Sequence, residues 1–397
     1  MTAIAHCPVC GGDRLTPVYR LPKVPIFCNQ YWPAEAEAVQ AADGVLDIVQ
    51  CDACSHVFNA AFDPDRIRYA VGYENSLHFS PTFGGYVDAL ATRLVDRYDI
   101  RGKRVLEIGC GDGGFLTALC EKGGNVGFGF DPSQTDRRVE GANGARMTIT
   151  GGYYTADTRV DDIDVICSRH VLEHLEEPAP LLRSLRAWHA SRPGAVAYFE
   201  VPNGDFCLKP HGIWDLIYEH VSYFTPRSLD YLLRACGYRV LDMGLAFDEQ
   251  FLWAEVALDG ADSGAAYAAE AGAGAGGIRD GYATMIDTCR RQVDVYAAQG
   301  RKMALWGAGS KGVTFLNIAD PAKAIGTVVD INPRKQNQHV ALTGQKVVAP
   351  EALRGIKPDV IFVMNALYTK EIAATLERIG VKAELVSVHG MMEKKAA

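Results

Sequence analysis

A glutamate and a histidine stand side by side at Glu219 and His220, inside a stretch dense in aromatics that runs from His211 to Pro226. A histidine next to a carboxylate can serve as a general base, and Tyr218 or Tyr223 could donate a hydrogen bond to an enolate oxygen formed as a proton leaves carbon. Methyl transfer to an already nucleophilic atom needs little beyond alignment, whereas methylating carbon needs this base first. The same pair could instead join a buried polar network.

A methyl donor is suggested by a second constellation. Val105 to Gly114 reads as strand, glycine turn and helix start. Gly109, Gly111 and Gly114 fit Gly-x-Gly-x-x-Gly, a spacing shared by nicotinamide and S-adenosylmethionine sites. Glu107 before the turn and Asp112 within it decide between them, because acids suit the amino and sulfonium charges of S-adenosylmethionine and repel a pyrophosphate. Asp131, followed by Pro132, ends the next apolar run about twenty residues on, where such folds place an acid on ribose hydroxyls. His170 falls at the end of a further strand, Asp164 to Cys167, and is a candidate cofactor contact. Residues 168–175 are expected to open the helix behind that strand.

Two Cys-x-x-Cys pairs, Cys7 with Cys10 and Cys51 with Cys54, can give one metal ion four thiolates. Four cysteines leave no open position for a substrate, so the expected ion is a structural Zn2+ stapling a small domain. Cys28 reads as a buried thiol. From Phe62 to Thr82 a polar and aromatic segment carries Tyr69, Tyr73, Asn75, Ser76 and His78, which could cover a polyhydroxylated ligand. A second glycine loop follows a strand at 303–306: Gly307, Gly309 and Gly312 repeat the spacing, with Ser310 and Lys311 inside. Asp330 and Asn365 end the next two strands, and Lys335 lies just beyond the first of them. The lysine in the loop suits phosphates generally, so this half is expected to hold a phosphate-bearing ligand, with a nicotinamide site as the alternative by pattern alone.

These groups need a layered α/β scaffold to position them. The chain has 397 residues, enough for two or three cores, and a formal net charge of -8, with no Lys and Arg cluster to hold a nucleic acid. No apolar run is long enough to span a bilayer, and the N-terminus lacks the pattern of a signal peptide, so the cytoplasm is the expected compartment. Eleven cysteines fit reduced thiols rather than a disulfide framework. The expected organisation is a zinc-binding domain at 1–62, a central class I methyltransferase (Rossmann-like) domain at 63–259, a glycine- and alanine-rich linker at 260–278 and a smaller C-terminal Rossmann-like domain at 279–397. A monomer is the working expectation.

With these pieces in order, the chain resembles the sugar C-methyltransferases that act on nucleotide-linked deoxysugars in natural-product pathways, including those to antibiotics. The resemblance rests on the cysteine pairs at 7 to 54, Glu-x-Gly-x-Gly at 107, Ser-Arg-His-Val-Leu-Glu-His at 168, Glu-His-x-x-Tyr-Phe at 219 and Gly-Ala-Gly-Ser-Lys-Gly at 307. It implies a structural zinc, S-adenosylmethionine in the central domain, and a C-terminal domain that helps hold a nucleotide sugar methylated beside its 4-keto group, normally at C3. It also implies that His220 is the base, assisted by Glu219, and that Tyr73 lies near the sugar. Ile217 stands where the family pattern has a tyrosine, while Tyr218 directly precedes the pair. An O- or N-methyltransferase for another small molecule is the alternative, and a nicotinamide-dependent enzyme a further one.

Overall fold

The computed structural model describes residues 4–70, 72–189, 192, 194–259, 275–388 and 391. Most of the expected linker, 260–274, lies outside them, and the helix Ala275–Ala298 begins within the stretch assigned to it.

The central layer is an eight-stranded sheet in the order Arg239–Ala246, Phe251–Ala257, Val196–Pro202, Val165–Arg169, Arg104–Ile108, Val126–Phe130, Arg146–Thr150 and Arg137–Glu140. From Val196–Pro202 to Arg146–Thr150 the neighbours run parallel, and the flanking strands are antiparallel. The parallel strands read as continuous apolar runs because both faces are covered. Val105 packs with Phe83, Leu90 and Leu116 on one side. Its neighbour Leu106 packs with Leu182, Leu229 and Leu233 on the other, as the two-residue alternation of a strand requires. The helix Pro81–Tyr98 starts where the Ser80 side chain accepts from the Phe83 N–H, with Pro81 at the first turn.

The expected helix at 168–175 does not form. The strand runs on to Arg169, His170 turns into the left-handed region at φ 55°, and a short 3-10 turn, Leu172–His174, precedes the helix Pro178–His189. The His170 N–H is held by the Glu200 carbonyl at 2.8 Å instead of a helical partner. Val171 fills the space above Gly109, where a Cβ would sit 2.2 Å from Val171 Cγ2. That turn aims His170, Glu173 and His174 at the cavity described below.

The C-terminal layer is a fully parallel five-stranded sheet in the order Val347–Val348, Ile325–Val329, Met303–Trp306, Val360–Val363 and Glu384–Ser387. The N-terminal strands Leu15–Pro25, Asp43–Cys51 and Val57–Asn59 form an antiparallel sheet whose fourth strand, Ser222–Tyr223, comes from far along the chain. Tyr31–Trp32 pairs with His339–Val340. One apolar core joins Val18 and Leu46 of the N-terminal sheet to Trp214, Tyr218, Tyr282, Phe315 and Phe362. The segment 207–223 is therefore clamped between the N- and C-terminal layers. Among the described residues no helix is long and apolar enough to cross a membrane.

Candidate active site

A cavity of about 680 Å³ lies where the carboxyl ends of the central and C-terminal strands face each other, roofed by the segment 62–80. Strand ends of this kind are where open α/β sheets hold ligands.

At one end the glycine loop opens the helix Gly114–Gly123. Gly109, Gly111 and Gly113 take φ of 71°, 53° and 83°, conformations that L side chains rarely adopt. The Gly111 N–H donates to Asp131 Oδ2 at 2.8 Å, while Ser133 donates twice to Asp131 Oδ1. Asp131 thus braces the loop and, with Pro132, lines the cavity. Glu107 is buried, and burial pushes its carboxyl up to about 8 against the opposing pull of Arg169. Its Oε2 has no hydrogen-bond partner. An ammonium or sulfonium placed here would supply the missing charge. Ser76 lines the cavity and donates to Asp112 Oδ2 at 3.1 Å, which ties the roof to this loop.

His170 lines the cavity, but both ring nitrogens face carboxylates: Nδ1 is 3.6 Å from Glu173 and Nε2 is 3.3 Å from Glu200. Burial works against its charge, yet the two acids outweigh it and raise the imidazole to about 9. Burial alone would likewise raise Glu200, but Arg169, His170 and Tyr86 hold it far below the usual carboxylate range. His170 thus sits between two buried acids at the cavity wall.

The aromatic segment 211–226 resolves into residues with different fates. His220 lines the cavity. Its ring packs edge-on against His174 at 5.0 Å, and its Nδ1 has no partner. Burial above all pushes its pKa well below the ordinary histidine value, so the ring is neutral and one of its nitrogens holds a lone pair. Glu219 turns the other way: Oε2 accepts from the Cys28 N–H at 2.8 Å, and the carboxyl faces Tyr73. Among the described residues no hydrogen bond joins the two side chains, so the expected direct assistance of Glu219 to His220 is corrected. What Glu219 does supply is its backbone carbonyl, 2.8 Å from His174 Nδ1.

Tyr218 and Tyr223 are corrected as well. Tyr218 is fully buried against Phe62, with its hydroxyl accepting from the Asp63 N–H at 3.1 Å, and does not reach the cavity. The Tyr223 hydroxyl donates to the Ile217 carbonyl at 3.0 Å. The phenols that line the cavity include Tyr69 and Tyr73 in the roof, along with Tyr153, Tyr154 and Tyr368. Tyr69 meets His174 Nδ1 at 2.8 Å, Tyr73 accepts from Asn29 at 3.3 Å, and burial raises both pKa values, so both stay protonated. Nothing around Asn29 marks it in the sequence, and His174 stands in the run at 168–174 without a role assigned to it there.

At the far end Gly307, Gly309 and Ser310 begin the helix Ser310–Ala319, and a Cβ on Gly312 would meet the Gly307 carbonyl at 2.0 Å. Lys311 donates to Asp215 at 2.8 Å and Gln250 at 2.9 Å, partners with no sequence signal. Gln250 is also bonded to Asn365 at 2.8 Å. Asp330 accepts from the Ala308 and Asn332 N–H groups, each at 2.8 Å, with Lys335 3.6 Å behind it. That carboxylate is only 7% exposed, which leaves it poorly placed for the ribose contact a nicotinamide site needs.

Away from the cavity, Cys7, Cys10, Cys51 and Cys54 bring their sulfurs within 4.8 Å of one another. The Cys7–Cys54 and Cys10–Cys51 separations are 3.5 Å, far beyond a disulfide and close to the edge of a tetrahedral thiolate shell. The residues fit a zinc ion.

The fold and the first glycine loop define the class: the central unit has the Rossmann-like fold of class I S-adenosylmethionine methyltransferases. Residues 83–243 match a family model described as a methyltransferase domain, and residues 279–386 match a second, described as a C-methyltransferase C-terminal domain. Among curated proteins the chain is similar to C-methyltransferase NovU of Streptomyces niveus, 27% identical over 255 residues that cover 61% of this chain and 58% of that protein. It is also similar to a ubiquinone biosynthesis O-methyltransferase of Coxiella burnetii (strain RSA 493 / Nine Mile phase I), 23% identical over 159 residues, 36% of this chain and 67% of the other. The matched region thus spans less than two thirds of the NovU length. Solved structures include magnesium protoporphyrin IX methyltransferase (ChlM) from Synechocystis PCC 6803 with bound SAH, at TM-score 0.33 and 18% identity over 44% of this chain and 83% of that one. An S-adenosylmethionine-dependent methyltransferase from Clostridium acetobutylicum ATCC 824 has TM-score 0.36 and 10% identity, over 44% and 92%.

Proposed function

We propose that this protein is an S-adenosylmethionine-dependent C-methyltransferase that acts on a nucleotide-linked keto-deoxysugar at the carbon alpha to the ketone, normally C3. The observation that carries this reading is His220: a neutral imidazole with an unpartnered nitrogen, in a cavity walled by two glycine loops. An O- or N-methyltransferase depends less on such a base, since its acceptor atom already holds a lone pair, whereas carbon must lose its proton first. The C-methyltransferase C-terminal domain match and the likeness to NovU support the same choice.

S-adenosylmethionine supplies the methyl group. Glu107 and the backbone of 109–113 would hold it, Asp131 keeping the loop in shape. His220 takes the proton from the carbon beside the ketone, and a roof phenol, Tyr69 or Tyr73, donates to the enolate oxygen. The enolate carbon would then take the methyl group in line as the methyl–sulfur bond breaks, leaving S-adenosylhomocysteine. Ser310, the helix start behind it, Lys311 and Lys335 form the polar end suited to the nucleotide phosphates. Zn2+ at the four cysteines would be a staple for the N-terminal sheet, remote from the reaction. Incubation with S-adenosylmethionine and a panel of 4-keto nucleotide sugars, read by mass spectrometry, is expected to give one singly methylated product. A panel with no product, together with methylation of a phenol or amine, would sink the assignment.

A further inference from the structure

We propose that Glu173, His174 and His220 form a second divalent metal site in the cavity wall, taking a transition ion of the zinc, cobalt or nickel kind, and that an ion there silences His220. The silencing rests on the reading of His220 as the base; the binding does not.

The three residues line the cavity, and one ligand atom of each lies within 4.8 Å of the others. Glu173 is 1% exposed, yet neither carboxylate oxygen has a hydrogen-bond partner, and the same holds for His220 Nδ1. Buried polar atoms are seldom left so.

His174 sharpens the point. Its Nδ1 lies 2.8 Å from the Glu219 carbonyl, which can only accept, and 2.8 Å from the Tyr69 hydroxyl, which can accept as well as donate, so the tautomer both partners allow carries the proton on Nδ1. In the neutral ring Nε2 then holds a lone pair, and it faces Glu173 Oε1 at 3.9 Å. Two acceptors confront each other across a gap too long for a hydrogen bond. Ligands bound about 2 Å from one ion stand roughly 3 to 4 Å apart, so a cation between them fits that gap. A metal-bound histidine usually gives its other N–H to a carbonyl, as His174 does here.

His170 Nδ1 stands 3.6 Å from the same Glu173 Oε1, too long for a hydrogen bond, so that oxygen is shared between the imidazole and the gap facing His174, while Oε2 has no partner. One carboxylate with two imidazoles suits borderline transition ions rather than calcium or magnesium. Three protein ligands also leave a face open toward the acceptor. An ion there would hold the lone pair of His220 and keep it from the proton.

The test uses the full chain loaded with Co2+ after zinc removal. The four-cysteine site gives intense thiolate-to-metal absorption, while a carboxylate and imidazole site gives only weak bands. Two ions per chain are expected in the native sequence. Glu173→Gln and His174→Asn should each lose the second ion while keeping the thiolate band, which reports an intact N-terminal fold. Added Ni2+ should suppress deuterium exchange at the carbon alpha to the ketone, and a weak chelator should restore it. One ion per chain, a second ion that survives both substitutions, or exchange unaffected by a bound second ion would overturn the proposal. Failure of the base reading looks different: the ion-free enzyme would show no exchange at all.

Discussion

Glu219 and His220 are neighbours in sequence with separate tasks. His220 presents a neutral ring to the cavity, while the Glu219 side chain supports Cys28 and the roof from behind. Because burial depresses its pKa, His220 stays unprotonated through the range in which an ordinary histidine titrates. The rate of alpha-proton exchange is therefore expected to stay flat as pH falls through about 6.5; an inflection there would contradict the assignment. Glu107 behaves oppositely. Its ionised form attracts the cationic cofactor and is lost below about 8, so the Kd for S-adenosylmethionine should rise as pH drops through that value. Glu107→Gln should weaken binding and flatten the dependence, read by titration calorimetry. Tyr218→Phe should leave kcat intact and cost about 1 kcal/mol of stability, because the Asp63 N–H loses its acceptor. The residue types of a base were legible in the sequence; their directions were not. The 3-10 segment Pro210–Asp215 and the irregular turn after it have no fixed side-chain period, so adjacency at 218–220 carried no information on which residue faces the ligand.

Among the elements, the two strand–glycine–helix units were readable because glycine spacing, apolar runs and terminal acids all act locally. Gly109 shows how strictly the geometry binds: φ is 71° and a Cβ would collide with Val171. Gly109→Ala is expected to destabilise the domain by about 2 kcal/mol or more and to abolish cofactor binding, measured by thermal melting and calorimetry. The turn at 170–174 was not readable, since its cause is the Glu200 carbonyl and the space above Gly109, both remote in sequence. The roof depends on equally distant partners. Glu74 holds Asn332 at 3.0 Å and Arg334 at 3.2 Å, and Glu371 holds Ser80 and Thr82, each at 2.7 Å.

At the scale of the molecule, three layers were foreseeable from composition and motif order, but their interlocking was not. Ser222–Tyr223 completes the N-terminal sheet, and one core runs from Val18 to Phe362. Damage to the cysteine site should therefore reach the cavity through segment 207–223. Cys51→Ser is expected to release the ion, lower the melting temperature and reduce turnover without altering the central sheet. The most direct test of the whole account places a 4-keto nucleotide sugar with the enzyme in deuterated water, without S-adenosylmethionine, and follows the alpha carbon by NMR. Exchange that is fast with the native chain and absent with a folded His220→Asn variant is the expected result. Equal exchange with both, or methyl transfer by the variant at the native rate, would contradict it.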